Sequence, residues 1–370
     1  MSKKILYIIN HMDWFWSHRL PLARGAQQDG WSVYVAAPDA GWDRKLADQG
    51  FIGLELPSSK NPFGIFKTIA AIAALLKQVK PDLMHAITLK YAFMSGLAAR
   101  SYPEVKAVHT IAGLGYLFSG EGWRPHILRL IAGPLLRLSL KRKNTQIIFQ
   151  NPDDENLMIR RGFVEAGQCH LIRGSGVDTA EFPFAEEPPY KTPLVIMPTR
   201  LVHEKGISVF VEAARILQNR GIDARFQIAG GLSENNPRAI SETEINRMVA
   251  DEAVQWLGKV KNMPDLLANC TLVVYPSWYG EGVPKVLLEA ASSGRAIVTT
   301  DHPGCREAVR DGENGLLVPV KNAAATADAI EKLLQDPQRR KAMGLRGRAR
   351  AEQEFDARII VEKTLKIYRV

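Results

Sequence analysis

The chain of 370 residues is 46% hydrophobic and 24% charged, with 29 Gly and 21 Pro, a composition that excludes disordered, collagen-like and low-complexity classes. Its length predicts two domains at roughly 150 residues each, and its formal net charge of +9 favours an anionic partner without choosing among nucleic acid, phospholipid headgroups and phosphorylated substrates. Cys169, Cys270 and Cys305 are few, odd in number and widely spaced, which fits a reducing compartment and no metal site.

The first apolar run, Ile5–Ile9, ends in polar His11 and Asp13 with no small-residue cleavage site, so it reads as a strand rather than a signal peptide. No stretch of about 18 uncharged apolar residues follows anywhere, so no membrane span is expected. Strand-like runs then recur at Ser32–Ala37, Leu83–Ala86, Ala107–Thr110 and Gln146–Phe149, with helical stretches between them, the rhythm of parallel βαβ units. Between Glu121 and Asp153 there is no acidic residue, while Arg124, Arg129, Arg137, Lys141, Arg142 and Lys143 interleave with leucines. That pattern reads either as a basic helix lying on an anionic membrane surface or as a solvated helix packing through its leucines.

The proline-rich segment Phe182–Pro193 reads as a linker. The rhythm restarts at Leu194–Met197, Arg225–Ala229, Val254–Leu257, Leu272–Tyr275, Ala296–Thr299 and Gly315–Val318. The expected architecture is therefore α/β, with two Rossmann-like, doubly wound parallel-sheet domains over 1–185 and 186–350, and a helix over 351–370 that crosses back to the first. Ligands are expected at the carboxyl ends of the strands, across a cleft between the domains.

Chemistry-bearing residues cluster at those strand ends. Asn10, His18 and Arg19 lie in or just after the first βα loop, and read equally as substrate contacts or as local caps and pairs. The loop lacks G-x-G-x-x-G, which argues against a dinucleotide dehydrogenase. His109 ends a strand and precedes a loop with four glycines, Gly113 and Gly115 among them. Its imidazole is either a cleft-facing acid or base or a hydrogen-bonded structural group, and the loop is expected to close over an acceptor.

Arg200 and Lys205 follow Leu194–Met197, where two cations can neutralise a diphosphate leaving group; the alternative is ordinary loop charge. After Leu272–Tyr275 come Glu281, Gly282, Val283, Pro284, Lys285 and Val286. Proline suits a first helical turn, and free amides there attract phosphate or sugar oxygens. Glu289 stands eight positions beyond Glu281, so the two carboxylates are expected to serve different atoms of one extended ligand. The bland alternative is an electrostatic cap and a surface ion pair. No Asp-x-Asp pair occurs, so a metal-bridged nucleotide is not expected.

Taken together, Arg200 with Lys205, the Glu281-x7-Glu289 pair, Glu-Gly-Val-Pro284, Gly174-Ser-Gly-Val-Asp178 and Gly312-Glu-Asn-Gly-Leu-Leu-Val318 resemble the retaining family 4 glycosyltransferases of GT-B fold, over nearly the whole chain. Ser17-His-Arg19, His109-Thr110 with Gly113-Leu-Gly115, and Phe149-Gln-Asn-Pro-Asp153 are similar to bacterial members that extend polyprenyl-diphosphate-linked oligosaccharides. The resemblance implies that Arg200 and Lys205 hold the donor diphosphate and Glu289 the ribose hydroxyls. It further implies that Glu281 and the amides of Gly282 to Val286 bind the donor sugar, and that His109 contacts it from the other domain.

It implies a UDP-sugar donor, an N-acetylhexosamine as the sugar, no cofactor and no metal, and no covalent carboxylate nucleophile. The expected acceptor is a lipid-linked saccharide, the expected location the cytoplasm, peripherally at the cytosolic face of the inner membrane, and no nucleic-acid partner is expected. One departure is Asn10-His11-Met12-Asp13 where many members carry Gly-Gly, which puts a donor-phosphate role for that loop in doubt. Two rival readings are a two-domain, non-hydrolysing sugar-nucleotide epimerase and a non-catalytic module that binds anionic lipid.

Overall fold

A computed structural model describes residues 2–38, 43–57, 62–115, 133–189, 191–233, 236 and 238–370. The chain divides into two compact units, one of Met1–Ser175, Gly280–Gly282 and Ala357–Val370, the other of Gly176–Tyr279 and Val283–Asp356.

Unit 1 is built on a seven-stranded parallel sheet in the order β3-β2-β1-β4-β5-β6-β7. Its strands are β1 (Lys4–Ile8), β2 (Ser32–Ala37), β3 (Ile52–Glu55), β4 (Leu83–Ile87), β5 (Lys106–Ile111), β6 (Thr145–Phe149) and β7 (Cys169–Leu171). Every residue of β4 is buried, as expected of a central parallel strand covered on both faces. The crossover helices include α1 (Leu20–Gln28), α2 (Pro62–Val79), α3 (Leu89–Ala98) and α4 (Pro152–Arg160). Asn151 caps α4, its side chain accepting from the Asp154 amide at 2.8 Å, with proline at the first helical position.

Unit 2 has a six-stranded parallel sheet in the order β10-β9-β8-β11-β12-β13: β8 (Leu194–Pro198), β9 (Arg225–Ala229), β10 (Gln255–Trp256), β11 (Leu272–Tyr275), β12 (Ala296–Thr300) and β13 (Gly315–Val318). Helices α5 (Ile207–Asn219), α6 (Lys285–Ser292), α7 (Ala323–Gln335) and α8 (Pro337–Arg350) flank it. The proline-rich segment lies on this unit. Arg295 donates to the carbonyls of Ala185 and Glu186, and the Arg340 guanidinium grips the Glu187 carboxylate with both ends of its fork.

Helix α9 (Ala357–Arg369) belongs to unit 1, where its buried face of Ile360, Leu365, Ile367 and Tyr368 joins the core formed by β1, β2 and α1. Gly25 makes this possible: a Cβ there would sit 2.4 Å from a methyl of Val361, so only glycine lets the two helices pack this closely. Among the described residues no helix is long and apolar enough to cross a membrane.

Candidate active site

In unit 2, β8 delivers Thr199 and Arg200 at its carboxyl end, and the chain makes one tight turn, His203–Lys205, before α5. Arg200 is exposed. The turn closes on Gly206, at φ +85°, where a Cβ would meet the Pro276 carbonyl oxygen at 2.1 Å. The loop after β8 is thereby pressed against the loop after β11. Further hydrogen bonds fix them together, with the Trp278 amide and the Ser277 hydroxyl both donating to the Glu204 carbonyl, at 2.9 and 3.2 Å.

Lys205 is only 3% exposed. Its ammonium donates to the Tyr275 hydroxyl at 2.6 Å and lies 5.3 and 5.1 Å from the ring centres of Tyr275 and Tyr279, a cradle that orients a cation through hydrogen bonding and ring quadrupoles. Beside it, Glu204 is buried and ion-paired with Arg238. Sequence reasoning assigned no role to Tyr275, Tyr279 or Glu204. Tyr275 had one legible signal, its place as the final residue of a strand that feeds the glycine-bearing loop.

Pro284 is the N-cap of α6, which begins at Lys285. The Lys285 ammonium stands 3.3 Å from the Glu289 carboxylate one turn on. Glu289 is largely buried, at 13% side-chain exposure, and burial raises its pKa against the lowering influence of Lys285. A partly desolvated carboxylate with spare acceptor capacity is suited to hold vicinal hydroxyls.

Unit 1 gathers a second set. After β1 the chain passes through Asn10 and a short helical turn into a π-helical stretch, Phe15–Arg19, that runs into α1; π-bulges of this kind are common at functional sites. His18 Nδ1 is 2.6 Å from the Ser17 hydroxyl. Arg19 is 8% exposed, and burial pulls its pKa down to about 10, so it stays cationic at neutral pH. Among the described residues no carboxylate lies within 4.0 Å of it. With His18, Leu22, Thr110, Gly174 and Ser175 it lines a small cavity.

His109 is fully buried on β5, and neither ring nitrogen has a hydrogen-bond partner among the described residues. Burial, and secondarily the charge of Arg142, depress its pKa to about 3. The hydrogen-bonded structural histidine anticipated as one alternative is instead His85, unremarked in the sequence. His85 Nδ1 meets the Tyr368 hydroxyl at 2.5 Å and Nε2 meets Thr110 Oγ1 at 2.8 Å, while the Tyr368 and Tyr7 hydroxyls are 3.2 Å apart. Burial holds the pKa of His85 well below the usual imidazole range, so its neutral ring donates at one nitrogen and accepts at the other.

Gly113, at φ +98°, is part of a close approach within unit 1: a Cβ there would lie 2.5 Å from Glu281 Cα. The Gly115 amide donates to the Gly280 carbonyl and the Gly282 amide to the Ala112 carbonyl, each at 3.1 Å. Gly282 in turn faces Gln150, whose side-chain oxygen would be 1.8 Å from a Cβ. The structure thus brings Gly113, Gly115, Glu281 and Gly282 together. The remainder of the glycine-rich loop, with Arg124 and Arg129, lies outside the described residues. Among the described residues no three His, Cys, Asp or Glu side chains form a metal-binding group.

Comparison with known proteins supplies the context. Residues 4–151 match the family model "Glycosyl transferase 4-like" and residues 178–350 match "Glycosyl transferases group 1". The chain is 30% identical over 365 residues, 95% of its length and 94% of the relative's, to the N,N'-diacetylbacillosaminyl-diphospho-undecaprenol alpha-1,3-N-acetylgalactosaminyltransferase of Campylobacter jejuni. Among solved structures it is similar to sucrose-phosphate synthase of Thermosynechococcus elongatus, with TM-score 0.83 and 21% identity over 100% of this chain and 98% of that one. It is likewise similar to Anabaena HepE in complex with UDP, with TM-score 0.78 and 19% identity over 99% of each chain.

Proposed function

The chain belongs to the family 4 glycosyltransferases and is a glycosyltransferase of GT-B fold; from that premise we propose that it moves an N-acetylhexosamine from a UDP-sugar to a polyprenyl-diphosphate-linked saccharide, with retention of configuration and without a metal. The observation that carries the reading is the full-length kinship with an enzyme whose name specifies both a diphospho-undecaprenol-linked acceptor and an N-acetylgalactosamine donor group. UDP as carrier is supported by the UDP complex of a structural neighbour.

In this reading Lys205, held by Tyr275, and the exposed Arg200 neutralise the departing diphosphate. That places fixed positive charge where negative charge develops and leaves no need for a metal. Glu289 accepts from the ribose hydroxyls, the Gly282 to Val286 turn with Glu281 accepts and donates to the sugar, and His109 contacts the sugar. Asn10, His18, Arg19, Gly113 and Gly115 serve the acceptor side. The acceptor hydroxyl attacks the anomeric carbon on the face from which UDP leaves. Its proton passes to a leaving-phosphate oxygen as the new C–O bond forms and the old one breaks, so no enzyme carboxylate becomes glycosylated. The enzyme works at the cytosolic face of a membrane, where such acceptors are anchored.

The test is release of nucleoside diphosphate from a panel of UDP- and GDP-sugars, with and without a polyprenyl-diphosphate-sugar acceptor. Acceptor-dependent UDP release that Lys205→Ala and Glu289→Ala both abolish supports the reading; release that ignores the acceptor, or interconversion of the sugar without release, rejects it in favour of hydrolysis or epimerisation.

A further inference from the structure

The π-helical stretch and α1 share one apolar stripe, Phe15, Leu22, Ala23 and Ala26, all buried in the core of unit 1. Arg19 stands within that stripe, four positions after Phe15, and the two are the buried residues of the π-helical stretch. Helical spacing calls for an apolar side chain at this position. A guanidinium taken out of water is tolerated where an anion or a set of acceptors meets it. Arg19 has neither: among the described residues its side chain makes no hydrogen bond and no ion pair. Tyr7 and Tyr368 lie near it, but their hydroxyls bond each other, and that of Tyr368 bonds His85. Arg19 is still charged at neutral pH, so what it calls for is negative charge.

The cavity that Arg19 lines narrows the choice of ligand. Ile148, Ile172 and Ile360 wall it with hydrocarbon, which lowers the local dielectric and strengthens a charge pair formed there. Two of its hydroxyls are already committed. Thr110 Oγ1 is 2.8 Å from His85 Nε2, and the Thr364 hydroxyl donates to the Ile360 carbonyl at 2.8 Å. Gly174, at φ +74°, and Ser175 line it too, and neither of their amides donates a hydrogen bond among the described residues. No Asp or Glu among the described residues lines the cavity. Its space takes one ligand oxygen rather than a sugar ring, and a guanidinium fork beside two amides fits an oxyanion whose bulk stays outside.

The donor side indicates which oxyanion this is. In the reading above, Arg200 and Lys205 of unit 2 neutralise the diphosphate of the nucleotide, whereas the diphosphate of the acceptor has no cation assigned to it. We propose that Arg19, with the amides of Gly174 and Ser175, receives a phosphoryl oxygen of the acceptor's diphosphate. The inference rests on the reading that the acceptor is a polyprenyl-diphosphate-linked saccharide. A fixed guanidinium then lets the enzyme tell an acceptor that carries its diphosphate from the same saccharide without it.

The experiment compares wild type, Arg19→Lys and Arg19→Met with two acceptors, a polyprenyl-diphosphate saccharide and the methyl glycoside of the same saccharide. Calorimetry alongside measures binding of inorganic pyrophosphate with UDP saturating, which keeps pyrophosphate off the donor site. In Arg19→Met the kcat/KM ratio of the first acceptor to the second is expected to fall by about tenfold or more, the loss of one charge-assisted hydrogen bond. The change falls mainly on KM for the diphosphate acceptor, and pyrophosphate binding weakens with it. Arg19→Lys retains part of the ratio, because it keeps the charge and loses the fork. The Tm of Arg19→Met holds or rises, since an apolar chain replaces a buried cation that has no partner.

Equal losses on both acceptors with a lowered Tm make Arg19 a packing residue and overturn the proposal. A rise confined to KM for the UDP-sugar overturns it as well, because the anion is then the donor's. So does pyrophosphate binding that Arg19→Met leaves unchanged, or wild type that binds no pyrophosphate beside UDP. If wild type binds pyrophosphate through Arg19 but transfers sugar to no lipid-linked acceptor, the anion site stands and the acceptor reading fails.

Discussion

The Lys205 ammonium is bonded to the Tyr275 hydroxyl at 2.6 Å, so a buried cation on one loop is aimed by the last residue of a neighbouring strand. Lys205→Met is expected to lower turnover by about a hundredfold or more, the scale seen when one donor to a developing oxyanion is removed. Tyr275→Phe keeps the cation and loses only its fixation, so a smaller loss of about tenfold is expected. Steady-state UDP release decides it: equal losses in the two variants would reject Tyr275 as a positioning residue.

Burial raises the pKa of Glu289, and Lys285 works against that rise. The ionised carboxylate needed to accept from ribose hydroxyls is therefore lost at higher pH than for an ordinary glutamate. Lys285→Met leaves desolvation unopposed and should move the acid limb of UDP binding further upward, read as Kd against pH by calorimetry. A raised folded-state pKa also means that the ionised form costs stability above it. Glu289→Gln should then raise Tm at neutral pH while weakening UDP, with the gain in Tm vanishing as pH falls into the ordinary carboxylate range.

His109 is expected to separate stability from activity. Its pKa, depressed to about 3, lies below the unfolded value near 6.5, so the unfolded chain binds the extra proton and stability falls as pH drops from about 6.5 towards about 3. His109→Leu removes that slope. It also removes two unpartnered nitrogens whose burial costs about 1–3 kcal/mol, so Tm should hold or rise while transfer drops by about tenfold, the scale of one lost hydrogen bond to the sugar. A variant that loses stability and activity in parallel would make His109 a packing residue.

Gly113 and Gly115 both have positive φ, +98° and +58°, but only Gly113 faces backbone, with Glu281 Cα 2.5 Å from the position of a Cβ. Around Gly115 nothing lies within 4 Å among the described residues. Gly115→Ala should cost about 1 kcal/mol of left-handed strain, whereas Gly113→Ala must also displace the Glu281 segment and should sharply reduce sugar transfer. Thermal melts with paired activity assays check the contrast, which equal effects at the two glycines would contradict.

Much of this was legible in the chain. Runs such as Leu-Val-Val-Tyr275 announce parallel strands by their β-branched, unalternating content, and Arg200, Lys205 and Glu289 stand out because a strand end fixes where the following loop opens. Other features were not. Tyr368 lies 283 residues from His85 and 361 from Tyr7, and nothing in local pattern joins residues that distant. The role of Tyr275 needed the neighbouring loop in place, because a strand-terminal tyrosine is otherwise an ordinary core residue.

The return of α9 to unit 1 ties the order of synthesis to the order of folding. β1 and β4 emerge from the ribosome early, but the tyrosine that bonds both Tyr7 and His85 is translated only after all of unit 2, a wait of about ten seconds or more at ordinary elongation rates. Through that interval the nascent first half holds an open apolar flank beside α1 and two polar side chains in its core without their partner. A nonsense or frameshift lesion in the coding sequence for α9 would accordingly be felt in the half of the protein translated first, and a chaperone that guards that flank during elongation would matter more for this chain than for one whose halves close in sequence.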